Sequence, residues 1–166
     1  MAIVDKPPRV VKPEPGKPLR VFISYSHKDK RLRPELENHL KLLQRQGVIA
    51  VWTDRKIAAG EEWKGKIDDN LESADIVLLL VSADFLASDY CYDVEMTRAL
   101  ERHNAGKARV IPIILKAVGW QSAPFGKLLA LPTDGKPVML WTDRPSAWTD
   151  VEAGIRTVAE QIRSHR

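Results

Sequence analysis

The side chains able to do chemistry in this chain stand just after its apolar runs. Tyr25, Ser26 and His27 follow the run that starts at Leu19. Asp54, Arg55, Lys56 and, past Gly60, Trp63 follow the run VIAVWT. Ser82, Asp84, Ser88 and Tyr90 follow the third run, IVLLLVS, with Glu95 behind them. This set holds hydroxyls, one lysine, aromatics and a carboxylate, but no strong nucleophile. It suits a polar ligand with a ring to stack and hydroxyls to hold. Ligands of open parallel sheets bind beyond the carboxyl ends of the strands, which is where these residues fall. Glu95, in the early turns of the helix after the third run, is the first candidate for a chemical role.

Other chemistries are excluded by their missing motifs. The chain contains neither GxGxxG nor GxxxxGK[ST], so it has no dinucleotide-binding turn of that type and no P-loop. His27, His39, His103 and His165 show no metal-ligand spacing, and Cys91 is the only cysteine. No G-x-S-x-G elbow is present. A flavodoxin-like receiver domain needs acidic residues after the first strand and an aspartate ending the third. Ser24-Tyr25-Ser26 and Val81-Ser82 stand there instead.

The elements that must position these residues follow from periodicity. Residues 1–18, with five prolines, read as an extended or disordered leader, and 19–166 as one domain. Strands are expected at Leu19–Tyr25, Val48–Thr53, Ile76–Ser82, Arg109–Leu115 and Val138–Trp141. The unbroken third run is a strand buried on both faces. Pro112 cannot donate to a ladder, so the fourth strand should be an edge or be bulged there. Helical spacing runs through Leu32, Leu36, Leu40 and Leu43, with Gly47 as a stop. It recurs through Trp63, Ile67 and Leu71, then from about Tyr90 to Asn104 behind the caps Ser88 and Asp89. The last helix runs through Trp148, Val151, Ile155, Val158 and Ile162, and Thr149 with Glu152 has the spacing of a capping box at its start. Strand and helix alternate five times. That order implies an α/β fold, a five-stranded parallel sheet with helices on both faces.

Composition sets the outer bounds. The 166 residues are 44% hydrophobic and 29% charged, enough for one globular core. The net charge of +4 is scattered, with no basic stripe, so nucleic acid is not indicated. No apolar run reaches the length of a membrane span, and the N-terminus lacks a signal-peptide core. A soluble protein in a reducing, cytoplasmic setting is expected.

Three stretches together resemble a TIR (Toll/interleukin-1 receptor homology) domain. They are Val21-Phe22-Ile23-Ser24-Tyr25; Asp54 to Gly60 followed by Trp63; and Ala74-Asp75-Ile76 through Ser82, Phe85-Leu86, Ser88, Tyr90-Cys91, Glu95 and Ala99-Leu100. They occur in the family's order and cover about residues 19–163, closest to bacterial members. The resemblance implies a flavodoxin-like strand order. For the enzymatic branch it implies NAD as substrate, cleaved at the nicotinamide–ribose bond in bacterial immune or cell-suicide signalling, with no cofactor or metal. Glu95 then corresponds to the catalytic glutamate. Tyr25 and Ser26 would line the site, Lys56 and Trp63 bound it, and Tyr90 lie beside it. Many family members carry the glutamate three residues after the cysteine, where this chain has Val94. Asp93 is therefore a rival carboxylate, although it points about 160° from the Cys91–Glu95–Ala99 face of an α-helix. Activity in the family often requires self-association, here through the Asp54–Glu62 loop. A non-catalytic adaptor acting by TIR–TIR association is the principal alternative, and nucleoside deoxyribosyl transfer a third.

Overall fold

The computed structural model describes residues 16–52 and 69–165. Most of the leader, and the loop from Asp54 to Glu62 with Lys56 and Trp63, lie outside the described residues.

Four strands form a parallel sheet: β1 (Leu19–Ser24), β2 (Ile49–Trp52), β3 (Ile76–Val81) and β4 (Arg109–Ile114), in the order β2-β1-β3-β4. Val21 pairs with Ile76, and Ile76 with Arg109. All six residues of β3 are buried, because helices cover both faces. Strand side chains alternate between faces, so β3 feeds two cores. Ile76, Leu78 and Leu80 pack with helices α1 (Arg33–His39), α2 (Lys41–Arg45) and α6 (Arg144–Ser164). Val77, Leu79 and Val81 pack with Phe85 of α4 (Ala83–Ala87) and with Cys91, Met96 and Ala99 of the segment after it. Each aliphatic side chain buried this way contributes on the order of 2 kcal/mol. Slipping β3 by one residue would exchange the two sets, so the register is strongly specified.

The expected helix over residues 31–46 is two short helices. The Leu40 amide is shared between the Leu36 and Glu37 carbonyls, at 3.0 and 3.1 Å, which marks the break. Gly47, at φ +73°, ends the pair as expected. Of the helix expected from Trp63, α3 (Asp69–Glu72) is described. The helix from Tyr90 is present, but Tyr90–Met96 is π-helical and only α5 (Thr97–Asn104) is α-helical. Helix α6 starts five residues before Thr149. Asp143 is its cap, accepting the Ser146 N–H at 3.2 Å, and Thr149 instead bonds the Pro145 carbonyl within the helix.

The fifth strand expected at Val138–Trp141 is not formed. Val138–Leu140 is a 3₁₀ turn, leaving four strands among the described residues. Pro132 and Pro137 flank this region and lack the N–H groups a ladder needs. Leu131 makes a single parallel bridge to Ile113 instead, donating to the Pro112 carbonyl at 2.9 Å and accepting from Ile114 at 2.8 Å. The Met139 amide adds a bond to the Leu115 carbonyl at 3.0 Å. Pro112 does lie in an edge strand of the described sheet, its carbonyl facing outward. Its missing N–H falls on that outer side. Gly154 lets Leu131 lie against α6, since a Cβ there would stand 2.6 Å from a Leu131 methyl. No helix among the described residues is long and apolar enough to cross a membrane.

Candidate active site

The described chain buries seven polar or charged residues, and six of them gather at the carboxyl end of the sheet: Ser24, Ser26, Asp29, Arg33, Ser82 and Glu95. The seventh, Arg102, clamps the carbonyls of Leu71 and Ala74 at the opposite end. Buried polar groups cost free energy unless paired. Their concentration at one edge marks where this fold accepts that cost.

Ser24 ends β1 on the same face as Phe22, looking toward the π-helical turn. From that turn Glu95 reaches back, and the Ser24 hydroxyl donates to Glu95 Oε1 at 2.7 Å. The wide π turn carries Cys91, Glu95 and Met96 inward together and leaves Asp93 exposed. The two rival carboxylates therefore occupy different environments. Glu95 stands under the sheet edge and Asp93 in water. The start of the turn is held by Ser88, whose hydroxyl accepts the Cys91 N–H at 3.1 Å. Cys91 in turn donates to the Tyr25 carbonyl at 3.3 Å, tying the turn to the exit of β1.

Glu95 is 1% exposed, which is deeper than a residue at the mouth of a cleft. It lies beneath the rim, below Tyr25 and Ser26. Tyr25 is half-buried, and its hydroxyl accepts from Arg33 Nη1 at 2.9 Å. Ser26 is buried and starts the 3₁₀ turn His27–Asp29, its hydroxyl accepting the Lys28 N–H at 3.2 Å. Tyr90 is half-buried at the opening of the π turn. Lys56 and Trp63 lie outside the described residues. No group of three or more potential metal ligands occurs among the described residues.

Sequence reasoning missed a second cluster beside this one. Asp29 is buried completely and accepts from the Ser82 hydroxyl and from Lys116 Nζ, the latter at 2.7 Å. The Ser82 hydroxyl also caps α4 by accepting the Phe85 N–H at 3.0 Å. Asp29 thus joins the ends of β1, β3 and β4. Nothing local in the sequence signals a pair 87 residues apart. Ser82, a hydroxyl ending an apolar strand, was the one visible hint.

A profile of the TIR domain matches residues 21–154. The chain belongs to the TIR-domain family. A relative from Sinorhizobium fredii (strain NBRC 101917 / NGR234), named "Uncharacterized protein y4lF", is 56% identical over 142 residues. That match covers 86% of this chain and 44% of the relative, so this TIR domain spans less than half of that protein. The TIR domain of the Toll-related receptor TRR-2 from the lower metazoan Hydra magnipapillata superposes with a TM-score of 0.54 at 21% identity, covering 82% of this chain and 97% of that one. It shares the fold. The TIR domains of the activated Roq1 resistosome, whose structure is described as recognising the effector XopQ, align at a TM-score of 0.45 and 17% identity, over 88% and 80% of the two chains.

Proposed function

We propose that this TIR domain cleaves the nicotinamide–ribose bond of NAD, with Glu95 as the catalytic carboxylate. The observation that carries the reading is the hydrogen-bonded Ser24–Glu95 pair at the carboxyl end of a parallel sheet. Chemistry at this bond asks little of a protein. The C–N bond breaks, its electron pair goes to the ring nitrogen, and nicotinamide leaves neutral. The ribose is left oxocarbenium-like, and a carboxylate beside it stabilises that charge and holds the ribose hydroxyls. Water adding at the same carbon and losing a proton to solvent gives ADP-ribose. An internal nucleophile of the same molecule gives a cyclic product. Tyr25, Ser26 and Tyr90 would line the site, with Lys56 and Trp63 contributed by the segment after β2.

The burial of Glu95 bears on regulation. A carboxylate covered in the single chain fits a domain that turns over only after self-association, through the Asp54–Glu62 loop, opens or completes the site. Signalling in a bacterial immune or cell-suicide pathway, in the cytoplasm, is the setting this chemistry suits. The same burial favours a second reading: a non-catalytic adaptor in which Ser24 and Glu95 merely knit the fold.

Incubating concentrated protein with NAD, free and in the presence of a crowding agent, and resolving products by chromatography separates the two. Nicotinamide release under either condition supports the enzyme. Intact NAD under both, with self-association measured in the same samples, leaves the adaptor. Cleavage of free nucleosides but not NAD would point to deoxyribosyl chemistry.

A further inference from the structure

Arg33 is the buried cation at the carboxyl end of the described sheet, and its own helix explains it only in part. It opens α1, followed by Pro34, behind Leu32, which makes no side-chain cap. The N-terminus of a helix disfavours a positive charge. Glu37, one turn on and 2.5 Å from Arg33 Nε, offsets this locally. What the guanidinium does reach is the rim. Nη1 donates to the Tyr25 hydroxyl at 2.9 Å, Nη2 to the Trp52 carbonyl at 3.4 Å, and the group lies 4.9 Å from the centre of the Tyr25 ring. One planar fork therefore grips the residue after β1 and the last residue of β2.

We propose that Arg33 is a positioning residue that fixes the Tyr25 ring and hydroxyl at the rim, and so sets how tightly the aromatic and ribosyl parts of a nucleotide are held there. The inference rests on the reading of this edge as an NAD site, but its geometric half stands apart. Lysine keeps the charge and loses the fork, so it cannot serve Tyr25, Glu37 and Trp52 together. The groups Arg33 is shown to hold are Tyr25 and Trp52 at the rim and Glu37 on its own helix. Its loss should therefore raise KM and leave kcat nearly unchanged.

The test uses Arg33→Lys, Tyr25→Phe and the double variant. The chain has three tyrosines, so ring-labelled tyrosine NMR resolves Tyr25, with Tyr25→Phe assigning its signal. In Arg33→Lys the Tyr25 ring signals should move while those of Tyr90 and Tyr92 stay. In turnover, each single variant should raise the KM for NAD about tenfold, the scale of one lost charged hydrogen bond. The double variant should be worse than Tyr25→Phe by clearly less than Arg33→Lys costs alone, because Arg33 acts through the Tyr25 hydroxyl and ring. A Tyr25 signal indifferent to Arg33→Lys, or KM effects that multiply, overturns the proposal. If the native chain releases no nicotinamide, the NAD reading falls, and the NMR comparison still decides whether Arg33 holds Tyr25.

Discussion

The Ser24 hydroxyl and the Glu95 carboxylate, 71 positions apart, meet at 2.7 Å in the interior. The bond joins the exit of β1 to a π-helical turn that starts at Tyr90. π turns are rare and cluster at functional sites, because the wider turn re-aims the side chains it carries. Here it presents a carboxylate to the carboxyl end of a strand, the edge at which open parallel sheets in general bind ligands.

Removing that hydroxyl tests the bond directly. Ser24→Ala removes the hydroxyl that donates to a buried carboxylate oxygen, which should cost about 1–3 kcal/mol. Urea unfolding should show that loss with an unchanged slope, and nicotinamide release should fall with it. A variant as stable as the native chain would mean that the two side chains do not meet.

Asp29 and Lys116 make a separate prediction. Lys116→Met leaves the fully buried Asp29 with the Ser82 hydroxyl as its remaining partner in the cluster. Breaking a buried pair is costly, but Lys116 is 42% exposed, so about 2 kcal/mol is expected rather than the full penalty. Adding Asp29→Asn to Lys116→Met should recover part of the loss, since the stranded charge is gone. A double variant weaker than the sum of the singles would contradict the pairing.

His103 sets a pH dependence. Its Nδ1 accepts the Val110 N–H at 3.1 Å, so the ring is neutral with its proton on Nε2. Burial, and then the charge of Arg109, push its pKa below the ordinary 6.5. The unfolded chain then takes up a proton more readily than the folded one. Stability is intact above pH 6.5 and falls as pH drops below it, toward the folded value, by at most about 1.4 kcal/mol per pH unit. Melting temperatures between pH 7.5 and 5.5 should fall more for the native chain than for His103→Asn. Parallel curves would show that His103 does not titrate in this way.

Much of the fold was legible because periodicity reports burial. The unbroken apolar run of β3 reads as a doubly covered strand, and the two faces of Ile76–Val81 split between two cores as the alternation requires. The fifth strand was misread because Val138-Met139-Leu140 is apolar enough for a strand. Two prolines around it, and Leu131 already bridged to Ile113, leave it no ladder to join. The cap of α6 was missed for a related reason. Thr149 and Glu152 have the right spacing, but Asp143 comes first and captures the Ser146 amide.

The site was legible at its edge and not in its depth. Strand ends located Tyr25, Ser26 and Ser82. The inward side of the helix after β3 was visible in the Cys91–Glu95–Ala99 spacing, and these three are buried while Asp93 is exposed. The π character of the turn was not visible, since it depends on packing against β1. Arg33 and Lys116 were invisible for a simpler reason. An arginine at a helix start and a lysine after a strand read as surface residues until their partners are seen.

In the proposed reaction the carboxylate of Glu95 carries the cleavage. The most direct measurement is nicotinamide release from NAD by Glu95→Gln and Asp93→Asn beside the native chain, at the protein concentration where the native chain is most active. Glu95→Gln keeps the shape and can still meet Ser24, so it should fold normally. Release should vanish in Glu95→Gln and persist in Asp93→Asn. Turnover retained by Glu95→Gln, or lost in Asp93→Asn alone, would contradict it.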